Sequence, residues 1–225
     1  MVSALVGRTG GAGAGARLLA SVTEHGSAAH PYLASEALLR GPNAARNLSD
    51  AVHHLCTLHG RHPGVVDHAA SRGVDPAVLA WFTVHTQGFA AERALLARLA
   101  VAAGPVPGTP GSADTEAAVL GQRHALEMLA RSERNGCALG AAIALVIDWG
   151  SIRTVLNAAG RRFGVELVPF PLGDASEALT LIAAAATTPP VERAMLFGAE
   201  QIAVQHFGLW DLLEARQLAR EAQAA

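Results

Sequence analysis

Residues 75–104, DPAVLAWFTVHTQGFAAERALLARLAVAAG, decide the fold. Asp75 is a good helix N-cap and Pro76 suits the first helical position. Gly104 followed by Pro105 is a stop signal. Between them Val78, Phe82, His85, Phe89, Glu92, Leu96 and Leu99 recur at alternating steps of four and three, which places them on one helical face. Five of the seven are large and apolar, so the face is expected to be buried. The other two are a base and an acid, His85 and Glu92. A buried ionisable group is costly unless it is paired, hydrogen-bonded or bound to a metal. The stretch therefore predicts a central helix with polar groups facing inward.

Composition extends this reading to the whole chain. Of 225 residues, 51% are hydrophobic and 48 are Ala, while aromatic residues make up only 4%. Ala and Leu favour helix, and strand-forming types are scarce. The expectation is an all-α, single-domain bundle of six to eight helices over residues 17–225, preceded by a flexible Gly/Ala-rich tail at 1–16. Gly11, Gly13 and Ala16 match Gly-x-Gly-x-x-Ala, but no strand precedes them and no βαβ unit follows, so dinucleotide binding is not indicated.

All 17 basic residues are Arg, and there is no Lys. That excludes a Schiff-base lysine and a Walker A motif. A net charge of −2 gives no basic excess, so nucleic acid is not an expected partner. No Gly-x-Ser-x-Gly element is present. Cys56 and Cys137 do not make a disulfide framework and fall within predicted helices, so a reducing, cytoplasmic setting is expected. The longest near-continuous apolar run, 137–147, is too short for a membrane span.

Taken in order, 17–26 and 31–40 read as short helices, with His25 and His30 in a solvated break. Asn43 caps a helix running to His59 and stopped by Gly60. Its buried stripe is Leu48, Val52, Leu55 and His59. His53, Cys56 and His59 lie along one ridge and are ligand types for zinc or iron. Residues 105–112, with three prolines, connect two helices. One long helix is predicted from Asp114 to Trp149. On it Leu126, Leu129, Glu133 and Cys137 share the inward face, and Gly136, Gly140 and Ala144 form a strip for a close helix crossing. A further helix spans 151–164, and 165–173 is extended. Asp174 and Glu177 suggest a capping box before the next helix. The last helix spans 191–222, with Met195, Ile202, His206, Leu209 and Leu213 inward and a polar, projecting end past Ala215.

The stripes deliver His59, His85, Glu92, Glu133 and His206 to a common interior. Imidazoles and carboxylates turned inward from a helical bundle can hold iron, manganese or zinc, as in di-metal bundle proteins. These five residues are therefore the metal candidates, and a non-haem metal-binding oxidoreductase is the leading expectation. No Glu-x-x-His pair occurs to strengthen it. The same groups would alternatively satisfy one another, or line an apolar pocket for His/Glu acid–base chemistry. A non-catalytic protein acting through a homodimer or another protein partner is the alternative function.

Overall fold

The computed structural model describes residues 3–72, 76–170 and 175–224. These residues form nine α-helices and no strand: α1 (Ser3–His25), α2 (Glu36–Leu39), α3 (Ala44–His59), α4 (Val65–Ala70), α5 (Pro76–Ala103), α6 (Ser112–Ala130), α7 (Cys137–Phe163), α8 (Ala175–Ala185) and α9 (Pro189–Ala224). Two 3-10 turns, Ser27–Ala29 and Pro31–Ala34, join α1 to α2. The chain is all-α, as its composition predicts. The expected tail boundary at residue 16 falls inside α1, where Ala14 and Leu18 are buried.

The stripe on α5 is inward along its whole length: Val78, Phe82, His85, Phe89, Glu92, Leu96 and Leu99 are all buried. The cap expected at Asp75, and the capping-box residue Asp174, lie outside the described residues. The helix at the centre of the bundle is nevertheless α7, not α5. From Cys137 to Leu156 most of α7 is buried, including Ile143, Leu145, Trp149 and Ile152. It is long and apolar enough to cross a membrane, and most of that stretch is enclosed by the other helices.

The single helix expected over 114–149 is two helices, and the second continues to Phe163. The break is set by Gly136, whose φ of 95° is left-handed and closes to side chains with a Cβ. Gly140 does what the small-residue strip predicts. A Cβ there would stand 2.0 Å from the Met195 carbonyl oxygen, and one on Gly198 would stand 2.2 Å from the Cys137 oxygen. The two glycines let α7 and α9 cross backbone to backbone.

Beyond Ala215, α9 does not project. Arg216, Gln217 and Arg220 are buried against α3. Arg216 donates to both Asp50 carboxylate oxygens at 3.1 and 3.0 Å, Arg220 donates to Asp50 as well, and its other nitrogen reaches the Asn47 oxygen at 2.6 Å. Polar residues at a chain end read as solvated, but here a buried acid on α3 recruits them inward. The same two arginines hold the α5–α6 connection through the Pro107 carbonyl and the Thr109 hydroxyl.

Candidate functional site: a buried histidine relay

Asp148 sits at the middle of α7, in apolar surroundings that make an unpartnered carboxylate prohibitive. Its partners come from two directions, and a third element extends the chain. The first 3-10 turn supplies Ser27, whose N–H donates to Oδ1 at 2.8 Å and whose hydroxyl donates to Oδ2 at 2.6 Å. Gly26 makes room for this approach, since a Cβ there would lie 2.6 Å from Asp148 Oδ1. From α9, His206 presents Nδ1 to Oδ2 at 2.6 Å. From α3, His59 places Nε2 at 2.9 Å from His206 Nε2. The order is Ser27, Asp148, His206, His59.

Proton positions follow from the partners. Asp148 already accepts two hydrogen bonds from Ser27, so His206 Nδ1 is the donor to it. With His206 neutral, its one N–H is spent on Asp148 and its Nε2 is an acceptor. The proton between the rings therefore belongs to His59 Nε2, and His59 Nδ1 is left as an acceptor. Burial, and then the neighbouring His206, hold the His59 pKa well below its usual value of 6.5, so the ring is neutral at pH 7.

Trp149 packs edge-on against His59, with ring centroids 5.2 Å apart. Its indole N–H donates to Glu92 Oε2 at 2.8 Å. Arg153 pairs with the other Glu92 oxygen, and also reaches the Val168 carbonyl and Asn157 Oδ1. Burial pushes the Glu92 pKa up, and the donors from Trp149 and Arg153 pull it back. This ion pair clamps α5 to α7 and fixes the indole wall of the relay.

His59 is 9% exposed, and it lines a small cleft of about 40 Å³ between α3, α4, α5 and α6. Among the described residues its Nδ1 has no hydrogen-bond partner and is not one of the sealed polar atoms, and His59 is the histidine of the relay that lines this cleft. Arg61, Arg93, Arg123 and Glu127 also line this space. Arg93 is fixed by Asp67 at 2.9 Å, and Asp67 also accepts the Gly64 N–H at 2.8 Å. Arg123 faces Glu127 Oε1 through its buried Nε at 3.6 Å, beyond hydrogen-bond distance, and among the described residues that Nε–H makes no hydrogen bond.

A family model matches residues 22–221, which takes in the whole relay and cleft. The chain belongs to the family of unknown function DUF6975. No curated protein and no solved structure matches the chain.

In this DUF6975 member the five metal candidates do not converge. His59 and His206 meet, and Glu92 lies behind Trp149. His85 stacks on Trp81 with centroids 3.9 Å apart and bonds the Trp81 carbonyl through Nδ1 at 2.8 Å, while its buried Nε2 has no partner. Glu133 is exposed, in the connection between α6 and α7. Its inward placement assumed one continuous helix through a segment that is broken. The ridge expected of His53, Cys56 and His59 also disperses: His53 bonds the Gly104 carbonyl at 2.8 Å, and burial raises the Cys56 thiol pKa. Among the described residues, no three of His, Cys, Asp or Glu are grouped to hold a metal ion. The ring nitrogens of His59 and His206 stand at hydrogen-bond distance, whereas two nitrogens on a tetrahedral zinc lie about 3.3 Å apart, as bonds of about 2.0–2.1 Å require.

Sequence reasoning missed Asp148, Ser27, Trp149 and Arg153. A signal for Asp148 was present: it is a lone acid in CALGAAIALVIDWGSIRTVL, residues 137–156. It follows the apolar run 137–147 directly, and burial continues past it to Leu156. His30, expected in solvent, is buried; its Nδ1 accepts from the Tyr32 N–H at 3.1 Å and its Nε2 lies 3.0 Å from Asp211.

Proposed function

We propose that this protein is a proton-transfer enzyme in which His59 is the general base, with His206 and Asp148 positioned behind it. The observation that carries the proposal is the chain of contacts from Ser27 through Asp148 and His206 to His59, which ends at a cleft; with His206 neutral, His59 Nδ1 there is an acceptor. In the step envisaged, an O–H of a bound ligand or water gives its proton to His59 Nδ1. His59 then passes its Nε2 proton to His206 Nε2. The positive charge comes to rest on His206, next to the Asp148 carboxylate, and the ligand oxygen is left as the nucleophile or leaving anion. A carboxylate that orients an imidazole and stabilises its protonated form is a general device of acid–base catalysis.

The metal-binding reading uses the same two imidazoles, and Asp148 would suit the carboxylate that orients a metal-bound histidine. For iron, manganese or zinc to enter, His59 and His206 would have to part, and a third ligand would have to come from the exogenous ligand or solvent. The hydrogen-bond spacing favours the relay.

The test is nitrogen-15 NMR of the histidine rings in the full chain between pH 5 and 8. Expected are an Nδ1–H tautomer for His206 and, across the range, a neutral Nε2–H tautomer for His59. Asp148→Asn should disturb the His206 assignment first. A His59 that carries its proton on Nδ1, or that titrates near 6.5, would leave no base facing the cleft and would sink the proposal.

A further inference from the structure

We infer that the ligand of this cleft is a small oxyanion that carries its own O–H, such as hydrogen phosphate or a 2-hydroxycarboxylate. The inference rests on the general-base reading of His59 and adds the class of substrate.

Three features converge on this class. His59 Nδ1 can only accept, so the ligand atom that meets it must donate. Three arginines and His68 line the cleft with one lining carboxylate, Glu127, while Asp67 pairs with Arg93. Arg93 is largely buried and already oriented by Asp67, so its remaining N–H groups offer a positive charge without a further ordering cost. Arg123 has a buried Nε–H with no hydrogen bond among the described residues, facing Glu127 Oε1 at 3.6 Å. An incoming anion oxygen would supply that acceptor, and charge-assisted bonds of this kind are the strong ones. The third feature is size. A cleft of about 40 Å³ admits a headgroup of a few heavy atoms or a few waters, not a cofactor or a polymer. Phe89, Leu126 and Leu145 form its apolar floor, which raises the strength of the arginine contacts by limiting water.

The experiment is calorimetric titration of the full chain at pH 7 with inorganic phosphate, sulfate, glycolate and acetate, with the His59 nitrogen-15 signals recorded at each end point. Phosphate and glycolate carry an O–H beside the charge, whereas sulfate and acetate are their counterparts without one. We expect at least one protonated member to bind ten-fold or more tightly than its counterpart, and to shift His59 Nδ1. Whether that member is phosphate or glycolate separates the phosphoryl source from the carboxylate source. Arg93→Gln should weaken the preferred ion ten-fold or more while leaving the His59 tautomer in place. Equal binding within both pairs, or no binding at millimolar concentration, with the His59 tautomer as assigned, would overturn the oxyanion inference and leave the general-base reading standing. A wrong tautomer would instead remove that reading. The wild-type comparison needs no variant, so a poorly folded Arg93→Gln protein would not rescue the inference.

Discussion

Lowering the pH from 7 to 5 should expose the His59 environment as a stability cost. The folded-state pKa of His59 is held well below 6.5, with burial the larger cause and His206 the second. A group whose pKa is depressed on folding contributes stability above its unfolded value, and loses it as the pH falls, because the unfolded chain binds the proton that the fold refuses. The groups around the ring agree with that sign. His206 meets it at Nε2, Trp149 covers an edge, and Arg61, Arg93, Arg123 and His68 share the cleft with Glu127, Arg93 being paired with Asp67. If the ring stays neutral in the fold down to pH 5 while the unfolded chain titrates near 6.5, the loss from this one residue is about 2 kcal/mol. The comparison is with His59→Gln, whose side-chain amide can still donate to His206 Nε2 but cannot titrate. Urea unfolding midpoints of the two proteins at pH 7, 6 and 5 give the difference. Burial also lowers the pKa of His54 and of His85, but those contributions are common to both proteins and cancel. The wild type should lose about 2 kcal/mol more than the variant across the range, by the same linkage. Parallel losses would mean that His59 takes up its proton equally in the folded and unfolded chain, and the sealed relay would be refuted.

Other perturbations probe the frame that holds the relay. Gly140→Ala gains about 1 kcal/mol of helix propensity, but it drives a methyl to 2.0 Å from the Met195 carbonyl. Separating two packed helices should cost more than that gain, in the range of about 1–3 kcal/mol or above for overpacking, so the melting temperature should fall rather than rise. Asp50→Ala leaves the buried Arg216 and Arg220 without their counter-charge. A loss of about 3–5 kcal/mol by chemical denaturation is expected, as for other buried pairs broken on one side. Ser27→Ala removes the hydroxyl bond to Asp148 but keeps the N–H bond. It should cost about 1–3 kcal/mol and change the His206 Nδ1 signal, which a remote packing defect would leave unmoved.

What the sequence makes legible here is periodicity, and what it hides is continuity. The α5 stripe could be read residue by residue because nothing interrupts its register, and all seven positions are buried. Gly60, Gly164 and Pro189 also mark real helix ends or starts. Across 131–136 the register was carried through a break. RSERNG is polar but not rich in proline, and Gly136 and Gly140 sit four apart, as two members of one helical strip would. The left-handed backbone at Gly136 starts α7 there, so the strip against α9 holds at both glycines while the register N-terminal to it is lost. That single misreading turned Glu133 inward on paper.

The relay escaped for a different reason. Its members lie at positions 27, 59, 148 and 206, on elements that meet only in the folded bundle. His59 and His206 were identifiable as polar residues in apolar stripes, but nothing local states that they face each other. Asp148 is the residue that links the two scales. A carboxylate that follows eleven apolar or glycine residues at the start of α7 requires donors from elsewhere, and three have to be found before that helix can be buried. The Ser27 N–H, the Ser27 hydroxyl and His206 supply them. Once His206 has spent its only proton on Asp148, its second nitrogen must accept, and His59 is fixed as the donor. The chemistry at the cleft is therefore set by an acid that never reaches it.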